Sequence, residues 1–184
     1  MLKARLVAGL LVLAVATTPL YPQPAFAASA GEINRDANTA LTKLYETQPD
    51  AKKLAARAKG ILIFPSIYKA GFMFGAQYGE GALRKGNKTV GYYNTVAASY
   101  GFQAGAQQFG YVLFFMNDAA LAYLDKSEGF EIGSGPSVVV LDEGMGKTMT
   151  STTLSQDVYA VIFNQKGLMG GLGLQGSKIS KVQK

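Results

Sequence analysis

Apolar and polar positions divide the chain into a helical stretch followed by a strand-rich one. Ile33, Ala37, Leu41 and Leu44 recur at helical intervals, behind a Ser29 and Glu32 spaced as a capping box. Pro49 interrupts this pattern. Thr47 and Asp50 repeat the capping-box spacing around the proline, and a second helix is expected to run to about Ala58, with Gly60 as its stop. At about 100° per residue, Lys52, Lys53, Arg57 and Lys59 fall within one half of that helix's wheel, and Ala51, Leu54, Ala55 and Ala58 within the other. The pattern predicts a basic amphipathic helix whose mostly alanine apolar face would insert weakly into a bilayer.

After Gly60 the period changes to two. "ILIFP" reads as a short buried strand closed by Pro65. In "KAGFMFGAQYGEG" the even positions are Phe72, Phe74, Ala76, Tyr78 and Glu80, and the odd ones Gly71, Met73, Gly75, Gln77, Gly79 and Gly81. That alternation predicts one strand from Gly71 to Gly81 with a glycine-rich face, the mark of a bend or of close approach by another backbone or by aromatic rings. A phosphate loop is excluded, because it would need a helix to follow. Lys85 to Lys88 has the composition of a hairpin turn, and a strand is expected over Val90 to Val96. Thirty residues after Gly71, "GFQAGAQ" repeats "GFMFGAQ" at five of seven positions, and a looser third copy begins at Gly167. Three copies of G-[FL]-x-x-G suggest equivalent curved strands, with Gly75 and Gly105 on a crowded face.

Asn117 can cap a short helix carrying Ala119, Ala120, Leu121, Tyr123 and Leu124 and ending before Gly129. "SVVVL", Thr148 to Thr153 and "VYAVIF" read as further strands. The fold class is α+β: N-terminal helices on a strongly curved, mostly antiparallel sheet or partly closed barrel of about seven strands.

The first 27 residues carry Lys3 and Arg5, an apolar run from Leu6 to Ala16, and small residues at Ala25 and Ala27. This is the form of a secretory signal peptide, so residues 28–184 are expected to be one exported domain in the periplasm or cell envelope. Without the leader the basic count falls from 18 to 16 against 12 acidic residues, a charge of +4. Residues 32–88 hold ten Lys or Arg against five Asp or Glu, so this segment is the electropositive one. In an exported protein such a segment points to anionic lipid or an acidic polymer more than to nucleic acid.

The chain has no histidine and no cysteine, which removes the usual general base, the thiol nucleophile and the commonest metal ligands. Asp142 and Glu143 sit together in a glycine-bearing turn, where adjacent carboxylates cannot face one cleft from a strand. Gly146, Lys147 and Thr148 mimic the end of a phosphate-binding loop, but the glycine required five residues earlier is Leu141. No catalytic residue, metal site or cofactor is expected.

"KGILIFPSIYKAGFMFGAQYGEG", "YGFQAGAQQFGYVLFFMNDAAL" and "KGLMGGLGLQGS", in this order, resemble the SYLF lipid-binding domain family, in an exported, bacterial-type form, over about Ala37 to Ile179. The resemblance implies a non-enzymatic domain that binds anionic membrane lipids, phosphoinositides in eukaryotic members, through an N-terminal amphipathic helix and a basic surface; some eukaryotic members are tied to actin and membrane remodelling. Here the helix residues are Lys52, Lys53, Arg57 and Lys59, and Lys69, Arg84, Lys85 and Lys88 extend the patch. The competing expectation is a periplasmic structural domain that forms a homo-oligomer or holds an envelope protein partner, with its basic face merely solvated.

Overall fold

Ser29 caps the first helix as its spacing predicts. Its hydroxyl accepts from the Glu32 N–H, while the Glu32 carboxylate accepts from the Ser29 N–H at 2.8 Å. The computed structural model describes residues 27–72, 74–100, 105–126, 129–132, 135–141, 156–167 and 176–184. Helix α1 spans Ala30–Thr47 and α2 Asp50–Arg57. The strands are β1 (Gly60–Phe72), β2 (Phe74–Lys85), β3 (Lys88–Tyr100) and β4 (Gly105–Phe115); after helix α3 (Asp118–Leu124) come β5 (Phe130–Glu131), β6 (Val138–Leu141), β7 (Val158–Gly167) and β8 (Lys178–Val182). No helix among the described residues is long and apolar enough to cross a membrane.

The eight strands form one sheet in the order β5–β8–β3–β2–β1–β4–β7–β6. Neighbours are antiparallel except β6 and β7, which run parallel. The sheet curls into a half-barrel, and contacts across it measure the curl. Phe115 of β4 and Phe130 of β5 stand five positions apart in the strand order, roughly 24 Å in a flat sheet. Their ring centroids are 5.9 Å apart, edge to face. Likewise the Tyr111 hydroxyl of β4 donates to Thr95 Oγ1 of β3 at 3.0 Å, across two intervening strands.

Each face buries its own core. The inner face gathers Leu62, Phe64, Ile67, Tyr93, Phe109, Tyr111 and Phe115 under α3, while the outer face packs Ile63, Val112, Phe114 and Val161 against Ile33, Ala37, Leu41 and Leu44 of α1 and Ala51 and Leu54 of α2. The expected apolar stripes of both helices are therefore the stripes that pack on the sheet.

Glycine makes the curl sterically possible. A Cβ at Gly81 would stand 2.3 Å from the Ile63 carbonyl oxygen and 2.7 Å from the Phe64 ring; at Gly79 it would stand 2.5 Å from Ile67 Cδ1. Gly105 differs: a Cβ there meets nothing within 4 Å, and its constraint is a φ of +143°. The expected crowding is found at Gly71, Gly79 and Gly81 of the first copy and not at Gly105.

Four local expectations are corrected. The stretch from Gly71 to Gly81 is a hairpin tip, with Gly71 paired to Gly75 and Phe72 to Phe74. Pro65 does not close β1; the strand passes through it because the pairing shifts register there against both neighbours, so no ladder N–H is required. Thr47 does not cap α2: its hydroxyl donates back to the Lys43 and Leu44 carbonyls, and Pro49 occupies the cap position. Gly60 is not a helix stop, since α2 ends where Ala58 turns extended; Gly60 opens β1 beneath Leu121, whose Cδ1 would lie 2.8 Å from a Cβ there. The leader before Ala27, the Asp142–Glu143 pair, the segment Gly146 to Thr148, the Thr148 to Thr153 strand and most of the third glycine copy lie outside the described residues.

Candidate functional site

The basic helix and the sheet meet at a cleft of about 710 Å³ between α1, α2 and the β2–β3 hairpin. Its wall includes Tyr45 of α1, Lys52 and Ala55 of α2, and Arg84 with Asn87 of the hairpin. Leu54 and Ala51 clamp α2 to the outer core and turn Lys52 outward. Alternation along β2 sends Ala82 and Arg84 to the helix side and Leu83 inward. Arg84 is half-buried. One guanidinium nitrogen donates to Asn38 Oδ1 and the other to the Asn87 carbonyl at 3.2 Å, while Nε is enclosed without an acceptor. Burial pushes the Tyr45 hydroxyl above its ordinary range, with Arg84 pulling the other way, so it stays a neutral donor. The cleft thus offers an ammonium, a guanidinium and a phenol to an anionic group.

α1 is pinned over this cleft by a polar stripe. Asn34 Nδ2 donates to the Tyr92 hydroxyl at 2.8 Å, and the Thr89 hydroxyl donates to Asn34 Oδ1 at 2.8 Å. Sequence reasoning missed Asn38 and Tyr45 as members of the site. Their signal was present: Asn34, Asn38, Thr42 and Tyr45 recur at helical spacing beside the apolar stripe.

The eight basic residues expected to form one patch fall into three places. Lys52, Lys53, Arg57 and Lys59 are exposed along α2 and the residue after its end, with Lys53 ion-paired to Asp50, and Arg84 joins Lys52 in the cleft. Lys85 and Lys88 form a directly opposed pair one residue out of step with the Arg84–Thr89 pair, so they face the other side of the hairpin; Lys85 there helps hold the Asp125 carboxyl low. Burial raises that carboxyl, and the Tyr93 and Lys181 hydrogen bonds with the Lys85 charge outweigh it. Lys69 is on neither surface: it lies on the inner face of the curled sheet, only 8% exposed.

A second polar cluster joins Ala28, just before α1, to Lys184, just after β8. Glu80 Oε1 accepts from Lys184 Nζ at 2.7 Å and from the Tyr78 hydroxyl at 2.9 Å, and its Oε2 accepts from the Ala28 N–H at 3.0 Å. Burial pushes the Glu80 carboxyl up, but Lys184, Tyr78 and Ala28 together leave it below the ordinary range.

Residues 96–184 match the Ysc84 family, described as Las17-binding protein actin regulator. The match takes in the second and third glycine segments, in agreement with the SYLF resemblance, and leaves α1, α2 and Arg84 outside it. No curated protein matches the chain.

Proposed function

We propose that this chain, with a Ysc84 (SYLF) match over residues 96–184, is a non-enzymatic domain that binds anionic lipid headgroups at the cell envelope. The Ysc84 family is one of binding domains and not of catalysts. The observation that carries the reading is the convergence of Lys52 and Arg84 on one cleft.

Magnitudes explain why a cleft is needed. Each Lys or Arg near an anionic bilayer contributes about 1 kcal/mol, so the four helix residues supply roughly 4 kcal/mol, a millimolar affinity. Asp50 offsets part of that at Lys53. The apolar face of α2 is already used against the sheet and has little left for a bilayer. A headgroup seated between Lys52 and Arg84 adds charge-assisted hydrogen bonds in a partly desolvated place.

The test is sedimentation with vesicles. Changing Lys52, Lys53, Arg57 and Lys59 together to glutamate is expected to abolish pelleting with vesicles containing anionic lipid while moving the melting temperature little, since all four are exposed. Normal pelleting by this variant at low salt would remove α2 from the mechanism.

A structural or interaction role is the second reading. Tyr68, Tyr78 and Val96 form one cross-strand row on the outer face, 60%, 47% and 46% exposed. Salt separates the two readings: attraction through exposed lysines fades with screening, whereas an apolar interface does not.

Export is part of the proposal. Cleavage after Ala27 would turn the Ala28 nitrogen, 3.0 Å from Glu80 Oε2, into an ammonium, and a hydrogen bond into an ion pair. Mass spectrometry of the exported chain is expected to find Ala28 first; a retained Leu6 to Ala16 segment would favour an anchored protein instead.

A further inference from the structure

The inner face of the curled sheet carries a positive charge that nothing described neutralises. Register sets Gln77, Lys69 and Gln107 side by side across β2, β1 and β4. They are 3%, 8% and 7% exposed. Ile67 and Phe109, two residues further in on the same face, belong to the inner core. Among the described residues the Lys69 ammonium has no hydrogen-bond or ion-pair partner. Among the described carboxylates, Glu80 faces the outer side with Lys184 and Asp125 is taken by Tyr93 and Lys181. Gln107 Oε1 is enclosed without a donor, whereas Gln77 Nε2 reaches Ser177 Oγ at 3.4 Å. The Lys69 stem is enclosed while its ammonium has no partner among the described residues, so the charge is held in place and free to take an anion.

The approach to Lys69 is bare backbone. On the same face, one pairing row nearer the hairpin tips, stand Gly75, Gly71 and Gly105, in register across three strands, and Gln107 pairs on its other side with Gly167. A Cβ at Gly105 would meet nothing within 4 Å, so there is room in front of the row. We propose that Lys69, with the Gln77 and Gln107 amides, forms a second anion site inside the glycine-rimmed mouth of the half-barrel, taking a single oxyanion of the phosphate class. It is separate from the Lys52–Arg84 cleft, which lies on the outer face, and does not depend on it. A free phosphate and a lipid phosphate present the same group to this site.

Melting curves of the chain beginning at Ala28 test it, in inorganic phosphate against chloride at equal ionic strength. Phosphate is expected to raise the melting temperature by several degrees in the parent and in the fourfold helix variant. Lys69→Met, which fills the space without the charge, should melt as high as the parent or higher in chloride and gain nothing from phosphate. Gln107→Leu should lose most of the phosphate gain. Vesicles of phosphatidylcholine with and without phosphatidic acid then separate the sources. Lys69-dependent pelleting of the fourfold variant with phosphatidic acid assigns a lipid phosphate; a phosphate effect without such pelleting assigns a free anion. If Lys69→Met melts well below the parent in chloride, or if phosphate stabilises parent and Lys69→Met equally or neither, Lys69 is structural and the site does not exist.

Discussion

Gly81→Val is expected to lower stability by more than about 3 kcal/mol, beyond the usual range for an overpacked core, and to lower the melting temperature by roughly 6–12 °C for a domain of this size. The size follows from what the new Cβ meets. Its nearest neighbours are the Ile63 carbonyl oxygen at 2.3 Å and the Phe64 ring at 2.7 Å. A flexible side chain could swing aside; a backbone carbonyl inside the β1 ladder cannot. The strands would have to separate next to the place where β1 shifts register against both neighbours. Gly31→Ala is the internal control. It lies in the first turn of α1 with nothing within 4 Å, and it should stabilise by a few tenths to about 1 kcal/mol by restricting the unfolded chain. At Gly105 the cost of a side chain comes from the positive φ alone, about 1–3 kcal/mol. Equal losses at Gly81 and Gly105 on chemical denaturation would contradict this division between crowding and backbone strain.

Glu80→Ala should cost about 2–3 kcal/mol, because it strips three donors of one acceptor. The Lys184 and Glu80 side chains are only 9% and 11% exposed, and the Ala28 N–H and Tyr78 hydroxyl lose the same partner. The loss stays below that of a fully buried pair because both side chains keep some contact with water. The cluster also sets a pH dependence. The Glu80 carboxyl lies below its ordinary value of 4.5 in the fold, so its contribution is fully present above that value and is lost as the pH falls through the lower, folded one. Asp125 is lowered as well and adds to the same acid limb. Glu80→Gln should therefore flatten, without abolishing, the fall in melting temperature below about pH 4.5. An unchanged acid limb would mean that Glu80 is as stable protonated as ionised in the fold, and that the ion pair with Lys184 carries no weight.

The sequence by itself determined the elements and much of the class. Ser29 and Glu32 mark the start of α1, the Ile33-to-Leu44 stripe marks its packed face, Asn117 marks α3, and Lys85 to Lys88 mark the hairpin, because caps, stripes and short turns depend only on residues a few positions apart. The alternation of Arg84 and Lys85 was equally legible, and it already implied that the two face opposite ways. The reversal between Phe72 and Phe74 was not. Gly71 pairs with Gly75 and Lys69 with Gln77, each pair equidistant from one central residue, so even positions stay on one face through the turn and the pattern runs on as if no turn existed.

Tertiary structure alone decided where each face points. Period two separates two faces of a strand but does not say which becomes the inside of a half-barrel; that is fixed by pairing between strands far apart in the chain, such as β1 with β4 and β3 with β8. Lys69 is therefore read from sequence as one more surface charge and found inside. Glu80 reads as a lone acid on a strand and is found joining Ala28 to Lys184, 52 and 104 residues away. Local spacing encodes contacts within a turn of helix or one strand pair, while the curl brings together residues whose separation in the chain carries no periodic trace.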